Sequence, residues 1–155
     1  MQGMTPALAA LTAIWQASGS KSLHLQAGQQ LWHCGEVVTT ADLDDERALW
    51  TTRDEELQDN YAGWAKESAR LGAKPAHKAT LTTQTELRAA DFDSASLLDF
   101  TATYCGAQHG QMKRIVRDWM LAQGFDAIVR LNRDPSEVVL ARPRSQAAVI
   151  GAVAL

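Results

Sequence analysis

The chain has 155 residues, 46% of them hydrophobic and 21% charged, with a formal net charge of −3. That is enough chain for one domain with a real core, and the composition argues against extended disorder. The acidic balance, with a pI near 5.8, argues against a general nucleic-acid binder, although Arg130, Arg133, Arg142 and Arg144 gather late in the chain.

Two cysteines, Cys34 and Cys105, make no disulfide framework, so a reducing compartment is expected. The early apolar run from Ala7 to Trp15 has no Lys or Arg before it, and no apolar stretch reaches 18 residues. No membrane association is expected. The expected location is the cytoplasm, or a host or target cell reached without a cleaved signal peptide.

Thr5-Pro6 followed by ALAALTAIW predicts a helix with an N-cap and Pro in its first turn, ending near Ala17 before SGSKS. Leu23 to Glu36 reads as one short strand entering a turn. The acidic ADLDDER stretch reads as a solvated loop or a single helical turn. Ala48 to Thr52 has the content of a strand. From Asp54 to Leu71 an apolar stripe of Leu57, Tyr61, Trp64, Ala65, Ser68 and Leu71 predicts a helix, stopped by Gly72 and Pro75.

Lys78 to Thr83 alternates like a strand. The next stretch, TELRAADFDSASLLDFTATYCGAQHG, looks irregular, with Asp91-Phe92 and Asp99-Phe100 as pairs of turn and core residues. Met112, Ile115, Val116, Trp119 and Met120 mark a second amphipathic helix closed by Gly124. Phe125 to Leu131 is a strand, RDPS a turn and Glu137 to Ala141 a further strand. The AAVIGAVAL segment is apolar enough to be packed. Short strands broken by separated helices predict an α+β fold. The whole forms a single domain, with residues 1–29 as an N-terminal helical extension and 30–155 as the core.

The chemistry-bearing residues begin in LWHCGE: His33 as donor or base, Cys34 as thiol and Gly35 as a place for close backbone approach. With them go Trp50, at the end of a strand, then Asn60-Tyr61 on the following helix, and Glu137, which opens a strand in GFDAIVRLNRDPSEVVLARP. These three blocks, in this order, resemble the ADP-ribosyltransferases of the His–Tyr–Glu branch, the diphtheria-toxin-like and poly-ADP-ribose-polymerase-like group. The resemblance runs from Leu31 to about Pro143.

It implies a split, mostly antiparallel sheet with flanking helices, and His33, Trp50, Tyr61 and Glu137 converging on a cleft. It also implies an NAD-dependent mono-ADP-ribosyltransferase. Such an enzyme cleaves the nicotinamide–ribose bond and passes ADP-ribose to an acceptor protein or nucleic acid of unknown identity, as a toxin or effector does. NAD is then the substrate, and no metal takes part. Glu137 and His33 would be the catalytic pair, Glu137 stabilising an oxocarbenium-like state and His33 holding the adenosine-side ribose. His33, Cys34, Gly35, Trp50, Thr51 and Tyr61 would line the dinucleotide site, Tyr61 stacking on nicotinamide.

The chain departs from the family pattern twice. Cys34 stands where the family has Gly, and Trp50 where it has its first Tyr. Trp50-Thr51-Thr52 is also similar to the Ser-Thr-Ser strand of the family's Arg-type branch, but Pro135 stands two residues before Glu137 where that branch has Glu or Gln.

Two other readings compete. His33, Cys34, Cys105 and His109 are metal-ligand types, but neighbours on a strand point to opposite faces, so no zinc site is expected and Cys105 and His109 are read as a loop near the mouth of the site. The other is a non-catalytic module of the same fold whose altered pocket binds a partner protein, with AAVIGAVAL as its interface.

Overall fold

The computed structural model describes residues 5–72, 75–106, 109–132 and 134–155; of residues 5, 57–61, 64 and 109 it describes the backbone alone. Helices α1 (Thr5–Ala17), α2 (Gln58–Leu71), α3 (Leu98–Tyr104), α4 (His109–Gln123) and the short α5 (Pro143–Gln146) alternate with eight strands. These are β1 (Lys21–Leu25), β2 (Gln30–Gly35), β3 (Leu49–Thr52), β4 (His77–Thr83), β5 (Leu87–Ala95), β6 (Ala127–Leu131), β7 (Glu137–Leu140) and β8 (Ala147–Ala154). Single 3-10 turns at Thr40–Asp42 and Glu55–Leu57 complete the elements.

The strands form one sheet in the order β1-β5-β6-β7-β3-β2-β4-β8. Every neighbouring pair is antiparallel except β5 with β6. The fold is α+β, as expected.

Two apolar clusters explain the shape. One lies between the helices and the sheet: Leu11, Phe92, Phe100, Ile115, Val116, Trp119, Phe125, Ile128 and Val139 are all buried there. Trp119 is its hinge pin, edge-on to Phe92 at 5.2 Å and to Trp15 of α1 at 5.9 Å, and stacked on Phe125 at 5.8 Å. Each such aromatic pair adds roughly 1 kcal/mol beyond its buried area. The Trp119 indole donates to the Thr12 hydroxyl at 3.0 Å, so α1 is locked to the core by a polar contact as well.

The second cluster joins Leu31, Ala79, Leu81 and Ala147 of β2, β4 and β8 to Leu25, Leu87, Ala127, Val129, Val138 and Leu140 of β1, β5, β6 and β7. The sheet therefore folds over so that its two ends share a core. It parts between β2 and β3, where the ladder holds a single pair, Trp32 opposite Thr52.

Three sequence expectations are corrected. Leu23 to Glu36 contains two strands: β1, inside the stretch read as a helical extension, pairs with β5 at one edge of the sheet, and only β2 lies at the split. Local pattern cannot separate them, because Gly28 at φ +86° breaks the run with nothing apolar to mark the change of partner.

The stretch from Thr85 to Gly110 is regular through most of its length, containing β5 and α3. Asp91 sits in mid-strand, buried, its carboxylate gripped by Arg130 at 2.9 and 2.7 Å; Asp93 takes the same guanidinium at 2.9 Å. Burial works to raise the Asp91 carboxyl, and the Arg130 hydrogen bonds overcome it and hold it below its ordinary value. Asp93, Ser94, Arg130 and Asn132 all have φ between +51° and +64°, which bends the strand pair out of register between Asp91 and Ala95. An acidic residue inside a strand reads as a turn until its partner, 39 residues on, is known. Lastly, Cys105 closes α3 inside the helical core and not in a loop at the site mouth.

Candidate active site

Strand β2 carries Trp32-His33-Cys34-Gly35 along the split. His33 is paired with Ala79 of β4 on one side. On the other, its Nδ1 donates to the main-chain carbonyl of Trp50 at 2.7 Å. The imidazole thus does, across the split, what a backbone amide does in a closed ladder. Burial lowers the His33 pKa below its ordinary value, against the pull of the Trp50 carbonyl and with Lys113 adding to the shift. The ring is neutral near pH 7, with its proton on Nδ1 and a free lone pair on Nε2.

Gly35 makes room for that ring. A Cβ at Gly35 would lie 2.6 Å from His33 Nε2, closer than real Cβ contacts.

Trp50 joins His33 to Glu137. On β3, Trp50 and Thr52 share a face, and Thr52 stands opposite Glu137 of β7. The Trp50 side chain lies near enough to the Glu137 carboxyl to favour its ionised form. Glu137 is only 4% exposed, and its Oε1 is buried without a hydrogen-bond partner. Burial pushes its pKa up to about 8, Asp134 adds to the rise, and the nearby Trp50 side chain opposes it. A buried carboxyl with an unpartnered oxygen and a raised pKa, one strand in from the split, is a candidate functional group.

The turn at Asp134, Pro135 and Ser136 delivers this residue. Asp134 takes the Ser136 amide at 2.9 Å, and Arg53 donates to the Pro135 carbonyl at 3.0 Å, fastening the turn to the end of β3.

The remaining expected residues fall as follows. Cys34, half-buried, and Gly35 line a groove of about 220 Å³ with Glu36 and the small residues Ala65, Ser68 and Ala69 of α2 and Ala76. Thr51 is buried, and its hydroxyl donates to the Val138 carbonyl at 2.7 Å, bracing β3 on β7. Tyr61 lies on α2, the helix packed over β2, but its side chain is outside the described residues, as is that of His109. The structure therefore brings His33, Trp50 and Glu137 into one connected set, with Cys34 and Gly35 beside it. No group of three metal-ligating side chains occurs among the described residues. None of the described helices is long and apolar enough to cross a membrane.

Sequence reasoning missed Lys113 of α4, whose charge acts on His33, and Arg47, whose charge acts on Lys113. Arg47 belongs to the acidic stretch read as solvated. Lys113 adjoins the apolar stripe of α4, where a lone lysine carries no signal.

No family model matches the sequence, and no curated protein matches it. Its fold is similar to that of a chain in the crystal structure of the M. tuberculosis MbcT–MbcA toxin–antitoxin complex. The match has 11% identity and a TM-score of 0.50, covering 94% of this chain and 91% of that one.

Proposed function

We propose that this protein is an NAD-dependent mono-ADP-ribosyltransferase that acts as a toxin or effector on a macromolecular acceptor. The observation that carries the reading is the buried Glu137 with its unpartnered Oε1, near Trp50, whose carbonyl holds a neutral His33 across the split in the sheet. The similarity of fold to a chain from a toxin–antitoxin complex supports the toxin reading and the presence of a protein partner that restrains it.

The chemistry follows from charge. When the nicotinamide–ribose bond breaks, its electron pair goes to the ring nitrogen and neutralises the pyridinium. Positive charge then develops on the ribose, where a carboxylate stabilises it. The acceptor's nucleophile bonds to the same carbon and gives up its proton. With a pKa of about 8, Glu137 is mostly protonated in the free protein at neutral pH. The arriving pyridinium favours the ionised form, so substrate binding and proton release are linked. His33 Nε2 accepts a hydrogen bond from a ribose hydroxyl, while the Trp50 carbonyl holds the imidazole in place.

The test is nicotinamide release from NAD, with acceptors found by mass spectrometry of cell extract incubated with labelled NAD. Absence of both release and labelling at millimolar NAD would overturn the reading, leaving the fold as a protein-binding module.

A further inference from the structure

We propose that β8 pairs antiparallel with β8 of a second copy of this chain, across a two-fold axis at Val153. The two edges of the sheet are unlike. β1 carries Lys21, 3.7 Å from Asp93, and His24, 2.8 Å from Glu86, polar groups of the kind that keep an exposed edge from pairing with other chains. β8 reads AAVIGAVA, without a charge in a chain of which 21% is charged. Its outer side has no strand partner among the described residues.

The backbone fixes which groups are open. The Leu155 amide donates to the Ala76 carbonyl at 3.0 Å, on the β4 side. Main-chain groups alternate sides along a strand, so those of Val153 also face β4 and those of Ala152 and Ala154 face outward. The ladder is regular from Ala154 back to Gly151, and Ile150 is then bulged, with no residue opposite it on β4. Past the bulge the Val149 amide donates to the Thr40 hydroxyl at 3.0 Å, so the turn at Thr40–Asp42 closes the edge there. The open run is Gly151 to Leu155, and its middle residue is Val153.

That run is complementary to itself. With the axis at Val153, Ala152 stands opposite Ala154 of the second copy, and their outward main-chain groups exchange hydrogen bonds on both sides of the axis. Val153 meets its own equivalent in the close, non-hydrogen-bonded pair, which buries a side chain that is 58% exposed. Leu155 falls opposite Gly151 of the second copy, where a Cβ would meet nothing within 4 Å. A glycine inside a strand leaves room for a close neighbour, and the facing leucine fills it. Charge is compatible as well. Lys78, opposite Val153 on β4, is held by Glu55 at 3.2 Å, so no uncompensated like charges meet beside the axis.

Sedimentation velocity of the intact protein over a concentration series tests this, with circular dichroism to show that each variant folds. The wild type should dimerise in the micromolar range or above, as a small interface does, with little dependence on salt. Val153→Lys sets two like charges directly opposite each other, and Gly151→Leu fills the space that Leu155 would enter; both should be folded monomers. Adding Leu155→Gly to Gly151→Leu exchanges the two residues and should restore the dimer. Under mild oxidation Val153→Cys should form a disulfide between copies, read by peptide mass spectrometry, because such a facing pair has the spacing a disulfide needs. Ile150→Cys, at a position equally exposed, should form none.

A wild type that stays monomeric up to about 1 mM would overturn the pairing and leave the edge to a strand of another protein. A dimer that survives both Val153→Lys and Gly151→Leu would overturn β8 as its seat. Cross-linking through Ile150→Cys and not through Val153→Cys would overturn the register.

Discussion

His33 Nδ1 and the Trp50 carbonyl stand 2.7 Å apart across the junction between β2 and β3, where, among the described residues, the ladder holds a single pair. That contact orients the imidazole, fixes its tautomer and sets the spacing between β2 and β3. Gly35 guards it from the other side. Gly35→Ala should leave the protein folded, because the clash falls on a ring that can rotate. It should expel that ring from the Trp50 carbonyl and weaken NAD by roughly the tenfold expected for one lost hydrogen bond to a polar ligand. His33→Ala should weaken NAD to a similar degree, and the double variant should do little more, since both remove one interaction. Additive losses would show that Gly35 acts elsewhere.

Glu137→Gln keeps size and removes charge. It should bind NAD nearly as well as wild type and lose turnover by on the order of a hundredfold. In wild type, kcat/KM should climb with pH until Glu137 ionises near 8, and the Gln variant should lose that limb. Wild-type turnover in the variant would end the assignment.

The same carboxyl makes a stability prediction with a definite sign. Its folded pKa, about 8, lies above its ordinary value of 4.5. The folded state therefore binds the proton more tightly, and the stability this contributes is complete below 4.5 and drains away as pH rises to about 8. Glu137→Gln lacks this dependence. Urea unfolding at pH 9 should find it more stable than wild type by on the order of a few kcal/mol, and at pH 4 little different. Parallel curves across that range would mean that Glu137 is ionised when folded.

The two thiols should behave differently. Cys105 is buried, and burial raises its pKa, so it should resist alkylation in the native protein. Cys34 lines the groove against α2 and should take one equivalent of iodoacetamide. NAD should slow that reaction if the groove receives its nicotinamide end. Equal labelling of both, read by peptide mass spectrometry, would contradict the placement of Cys105 in the core.

Much of this was legible in the sequence because its signals are local. Pro6 starts α1, Gly72 stops α2 and Gly124 stops α4, and the α4 stripe of Ile115, Val116, Trp119 and Met120 is the core face it was read to be. The order of His33, Trp50 and Glu137 was legible as a resemblance, and the His33–Trp50 hydrogen bond joins the first two across the split. What stayed hidden was long-range. Asp91 declares itself a strand residue only through Arg130, and β1 declares itself only through β5. Arg117 of α4 reaches the Asp45 carbonyl, 72 positions away, which no periodicity encodes.

The split in the sheet also divides the molecule by cooperativity. On one side β4 holds β8 through seven paired positions and β2 through six; on the other β3 holds β7 through four. Across the gap between β2 and β3 stand, among the described residues, one backbone pair and one imidazole, and the apolar cluster of Leu31, Leu81, Val129 and Leu140 joins the two sides only by side-chain packing. The two assemblies are the natural units of sub-global opening, and amides bordering the gap should exchange with solvent long before those inside either ladder. His33 belongs to one unit, Trp50 and Glu137 to the other. A molecule that bridges them gains its affinity partly by suppressing that opening, so its arrival should be visible as slowed exchange in residues it never touches.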